Sequence, residues 1–134
     1  MNKINFKRTV TGKLEDVVTQ VTAALKQQGF GVLTRIDLHS KIKDKIGKEI
    51  PPTVILGACN PSLAYEAFVA NPDVASLLPC NAVVRDVGDG RMSVELVRPS
   101  AIMEMLGDER LIKLAGEADN KLEQALEGLQ IPKA

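Results

Sequence analysis

Val54-Ile55-Leu56-Gly57-Ala58-Cys59-Asn60-Pro61 is an apolar run that ends in a cysteine and passes straight into a helix-start signal. Pro51-Pro52 forces an extended lead-in, and the β-branched and apolar residues that follow suit a pleated surface, so Thr53 to Ala58 reads as an inner strand. Gly57 within it marks a bulge or a close backbone approach. The Asn60 side chain is suited to accept free amides of a helix's first turn, and Pro61 at the first helical position has no amide hydrogen to leave unpaired. Leu77-Leu78-Pro79-Cys80-Asn81 mirrors this stretch, with the second of only two cysteines at the head of the next apolar run.

Downstream, Cys80 to Val87 and Met92 to Val97 are β-rich runs joined by Gly88-Asp89-Gly90, which predicts a hairpin. Upstream, Phe30 to Leu38 alternates Phe30, Val32, Thr34, Ile36 and Leu38 against more polar positions, which predicts a strand with one well-buried face, ended by His39-Ser40. Lys41 to Ile50 reads as a short helix striped by Ile42 and Ile46 and stopped by Gly47. Its lysines are interleaved with Asp44 and Glu49 and read as a solvated face. After Pro61, the residues Leu63, Ala64, Ala67, Phe68 and Tyr65 are expected on the inner side of a helix that Asn71-Pro72 ends, and Asp73 to Leu78 as a helical turn or irregular cover.

At the ends of the chain, Ile4 to Val10 suits a strand, and Lys13 to Gln28 sets Leu14, Val17, Val18, Val21, Ala24 and Leu25 on one helical face, closed by Gly29. Ala101 to Leu106 allows one or two helical turns. From Asp108 to Leu129 the leucines and alanines keep helical spacing behind a capping Asp108, and Gln130 to Ala134 are expected to fray. The sum is an α+β fold: a curved, mainly antiparallel sheet of about five strands, two long helices across one face, and short helical insertions. With 134 residues and no repeat or linker, the sequence predicts one domain over 1–134.

Composition narrows the function classes. Lys plus Arg and Asp plus Glu each number 17, and aromatic residues make up 3%, so neither a net field nor a stacking surface points to nucleic acid. No apolar run reaches the roughly 18 residues of a membrane span, and the amino end lacks a signal segment. A cytoplasmic protein with no membrane or nucleic-acid partner is expected, its cysteines thiols rather than a disulfide. Leu77, Leu78, Ile102, Met103, Met105 and Leu106 fall in irregular segments, which predicts an apolar surface for a homodimer.

Three stretches carry a family resemblance. Gly29-Phe30-Gly31-Val32-Leu33-Thr34 with Asp37, then Ile55 through Pro61, then Leu77-Leu78-Pro79-Cys80-Asn81 resemble the bacterial and archaeal family called domain of unknown function 302. The resemblance implies a β-α-β(4)-α fold similar to the TATA-binding-protein-like class, and it implies almost nothing about activity. Likeness to a DNA-binding fold does not carry DNA binding with it.

The candidate site is the turn formed by Gly57, Cys59, Asn60 and Pro61, facing Cys80 and Asn81. Antiparallel pairing would bring the exit of one cysteine strand and the entrance of the other to the same sheet end. A helix amino end beside Cys59 favours a thiolate, which suits thiol redox or persulfide chemistry. Cysteine is equally a common packing residue beside strands. Asp37 and His39, the latter the only histidine, would complete a metal set with the thiols only if the fold joined both strand ends, so no metal is assigned and no cofactor is required. The amides after Gly57, with Lys45 or Lys48, would suit a small anion. No catalytic triad, carboxylate pair or phosphate loop is present. The expectation is a small-molecule or sulfur-species binding module rather than an enzyme; the alternatives are a thiol redox or persulfide-handling protein and a purely structural homo-oligomer.

Overall fold

The computed structural model describes residues 3–132. Its strands are β1 (Asn5–Thr11), β2 (Gly31–Asp37), β3 (Thr53–Cys59), β4 (Cys80–Gly88) and β5 (Arg91–Val97). They form one sheet in the order β1-β5-β4-β3-β2, and every neighbouring pair is antiparallel. The helices are α1 (Leu14–Gln27), α2 (Leu38–Ile46), α3 (Pro61–Ala70), α4 (Pro99–Met103) and α5 (Glu109–Glu127), with 3₁₀ turns at Pro72–Leu77 and Glu104–Leu106. This is the expected α+β order with its short helical insertions.

One face of the sheet carries the main core. Period-two alternation aims Val54, Leu56 and Ala58 of β3, Ala82 and Val84 of β4, and Met92, Val94 and Leu96 of β5 at the helices, and all are buried. Val17, Val21 and Leu25 of α1 and Ala118, Leu122 and Ala125 of α5 meet them at helical spacing. The opposite face is polar toward the β1 edge. Lys7, Arg85 and Ser93 converge on Glu95 there, at 3.4, 2.7 and 2.9 Å. Burial by itself would raise the Glu95 pKa, but the hydrogen bonds from Arg85 and Ser93 prevail and hold the carboxyl below its ordinary value.

The hairpin forms where Gly88-Asp89-Gly90 required it, with positive φ at all three residues and the Asp86 carboxylate accepting the Gly88 amide hydrogen at 2.8 Å. Several expectations need correction. The strand expected to reach Leu38 stops at Asp37, and Leu38, His39 and Ser40 already belong to α2, which therefore begins before Lys41. β2 has no well-buried face: it is one of the sheet's two edge strands, its pairing with β3 shifts between Val32 and Thr34, and Leu33 and Ile36 are exposed. α3 turns Tyr65 and Phe68 outward, so of the side chains expected on its inner side only Ala67 is buried. Nor is the end of the chain free. Arg8 donates to the Leu126 and Ile131 carbonyls at 2.8 Å each, and Thr11 N–H donates to the Pro132 carbonyl. The rest of the expected frayed segment, Lys133 and Ala134, lies outside the described residues.

Candidate functional site

β3 and β4 run side by side with Ala58 opposite Cys80 and Gly57 opposite Asn81. Cys59, one step past that register, ends β3, while Cys80 begins β4 on the helix-facing side of the sheet. Both cysteines are free, and no disulfide joins them. The turn out of β3 is built as the sequence requires. Asn60 Oδ1 accepts the Leu63 amide hydrogen at 3.2 Å, and the Asn60 carbonyl accepts that of Ala64 at 2.9 Å. Gly29, at φ +85°, lets this turn approach, since a Cβ there would lie 3.0 Å from Asn60 Nδ2. Gly57 is packed on its other side, where a Cβ would overlap the Thr34 hydroxyl and come within 2.8 Å of the Pro79 ring. Pro79 therefore lies across β3, and Cys80 enters the sheet from that fixed point.

The cysteines open onto an apolar cavity of about 50 Å³ between the end of the sheet and a second helical layer. Phe30, Ala58 and the cysteines form its sheet side, and Leu63 and Ala67 of α3 one flank. Met103 of α4 and Leu111, Ala115 and Ala118 of α5 close the rest. Among the described residues no charged side chain lines it, and Asn60, the one amide among them, already holds Leu63 N–H. The helical layer has its own small cluster, in which Val74, Met103, Leu111 and Ala115 are buried and Leu77, Leu78, Leu106 and Leu114 pack around them. Of the residues expected to form an apolar homodimer surface, Met103 is buried, Met105 is an exposed large hydrophobic, and Leu77, Leu78, Ile102 and Leu106 are half-buried.

Burial pushes the Cys80 thiol up to about 11, with smaller contributions in the same direction from negative charge on Cys59 and on Asp119. Cys80 is thus a neutral thiol at physiological pH. Asp119 itself is a residue that sequence reading misses. It sits in α5 beside the apolar stripe and ties down α4, accepting from Ser100 N–H at 3.1 Å and Ser100 Oγ–H at 2.5 Å. One carboxylate in a helix rich in charge carries no local signal of that tertiary role.

The remaining candidates lie elsewhere. Because Gly31 pairs with Cys59 while Asp37 pairs with Val54, Asp37, His39 and α2 with Lys45 gather at the far end of β3, one strand length of about 20 Å from the cysteines. His39 Nδ1 accepts the Thr53 amide hydrogen at 2.9 Å, which makes it a clamp between α2 and β3. Asp37 pairs with Arg35 at 3.0 Å. The anion-binding reading of the turn also weakens. Pro61 has no amide hydrogen, those of Leu63 and Ala64 are taken, and Lys45 is remote. Among the described residues no three His, Cys, Asp or Glu side chains group as a metal site, and no helix is long and apolar enough to cross a membrane.

A family model, domain of unknown function DUF302, matches residues 6–129. The chain belongs to the DUF302 family. A crystal structure of an uncharacterised conserved DUF302 protein from Bacillus stearothermophilus is similar over 96% of this chain and 100% of its own, at 26% identity and a TM-score of 0.88. The α+β fold with its five-stranded antiparallel sheet is thus a DUF302 fold. None of the curated proteins compared with the chain matches it.

Proposed function

We propose that this DUF302 protein is a binding module for a small, uncharged and largely apolar molecule or a reduced sulfur species, taken into the cavity beside Cys59 and Cys80. The observation that carries the reading is the lining. Among the described residues it has no carboxylate, imidazole or ammonium group to serve as acid, base or counter-ion, and its one amide is occupied. Such a wall favours uncharged, apolar molecules and opposes ions, whose desolvation it does not repay. Thiol redox or persulfide chemistry is the less favoured alternative, since the thiolate is the nucleophile and burial keeps Cys80 protonated. That alternative would place the attacking sulfur at Cys59, beside the start of α3.

The test is methyl NMR of protein labelled at the methionine methyl groups, titrated with ethanethiol. Saturable shifts of Met103, which lines the cavity, with Met105 unmoved at 79% exposure, are the expected result. Equal, unsaturable drift of both signals would contradict it.

A further inference from the structure

A second, larger hollow adjoins the first. It measures about 310 Å³ and opens at the end of the sheet beside Asn81 and Ser76. The two share Leu78, Cys80, Pro99 and Met103, so these four side chains form the partition between an inner apolar chamber and an outer chamber of mixed polarity. Met103 is the adaptable member, unbranched and able to repack when a chain passes it. Among the described residues, none that lines the outer chamber is charged.

We propose that the two chambers together bind a neutral amphiphile, with an apolar tail of a few carbons in the inner chamber and an uncharged polar head at Asn81 in the outer one. This rests on the binding role given above to the inner chamber and adds the class of ligand. The inner volume sets the tail. At about 50 Å³ it is well below the roughly 150 Å³ that holds a benzene ring, and it suits the end of a short unbranched chain. The lining sets the head, because among the described residues a carboxylate would meet no cation in either chamber to repay its desolvation. An outer chamber near 300 Å³ stands at the small end of ligand sites, which matches an alcohol, amide or ester head rather than a nucleotide or a sugar chain.

The experiment is a titration of the full-length protein with the 1-alkanols from ethanol to 1-hexanol, and with butanoate and butylammonium, read on the Met103 methyl and Asn81 side-chain amide signals. Affinity should rise roughly fourfold per methylene over the first few carbons and then level off as the inner chamber fills. Both signals should move together, and butanoate should bind at least tenfold more weakly than 1-butanol. Asn81→Ala should weaken every alkanol by a common factor, whereas Ala115→Val and Ala115→Leu should each abolish the dependence on length. Shifts at Met103 with Asn81 silent, or equal affinity for butanoate and 1-butanol, would overturn the two-chamber reading and leave the inner site standing. No saturable shift of Met103 with any probe would overturn both.

Discussion

The sheet with α1 and α5 and the smaller layer built from α3, the Pro72–Leu77 turn and α4 differ in how they are filled. In the first, leucines and valines interdigitate at near-zero exposure, and the space between Val21, Leu25, Val94 and Leu129 is about 0 Å³ for a water-sized guest. In the second, alanines stand at Ala67 and Ala115 and a void of about 50 Å³ remains. The first region is filled to the density of an ordinary protein interior, and the second leaves a void.

Truncation should separate the two regions most strongly. Leu56→Ala removes a fully buried side chain from β3 and should lower stability by about 2–5 kcal/mol in denaturant unfolding. Leu114→Ala, at the half-buried edge of the second cluster, should cost about 1 kcal/mol or less. Equal losses would erase the contrast. Enlargement should run the other way: Ala82→Leu overpacks the first core at a cost of about 1–3 kcal/mol, whereas Ala115→Leu grows into the void and should be close to neutral. At their junction Gly57→Ala should cost about 1–3 kcal/mol, because the new methyl meets the Pro79 ring and the Thr34 hydroxyl.

How much of this was legible in the sequence follows the range of the interactions. Gly88-Asp89-Gly90 and Asn60-Pro61 announced the hairpin and the start of α3 because turn and cap chemistry act over a few residues. Helical spacing likewise exposed α1 and α5, and β-rich composition the strands β3 and β5. The edge position of β2 was hidden, since its alternation looks the same whether or not a neighbour covers it; only the strand order decides. The same limit concealed the separation of His39 from the cysteines, the outward face of α3 and the clamp from Asp119 to Ser100. Of the cavity's lining, Cys59, Asn60 and Cys80 stood out in the sequence, but the cavity between them and α5 did not.

Titration probes the wall that the two regions share. Cys80 keeps its proton in the folded state to about pH 11, whereas an unfolded cysteine loses it near about 8.5, so stability from the neutral thiol is full below that lower value and declines between the two. Cys80→Ala should remove about 1–3 kcal/mol of that alkaline decline, measured as unfolding free energy against pH. Iodoacetamide at neutral pH should also label Cys80 slowly until the protein unfolds. The smallest effect belongs to the polar face of the sheet. Because its folded pKa is depressed, Glu95 stabilises the fold above the ordinary carboxylate range near about 4.3, and that contribution fades as pH falls through the folded value. Glu95→Gln should flatten the acid limb of the same curve without touching the alkaline one.

Xenon offers the most direct test of the apolar chamber, since it enters dry apolar voids without a hydrogen-bonding requirement. In a crystal pressurised with xenon, density is expected between Met103, Ala115 and Cys80, with none among Val21, Leu25 and Val94. An empty chamber under xenon, or ordered water filling it, would contradict the assignment of this cavity as a site for apolar guests.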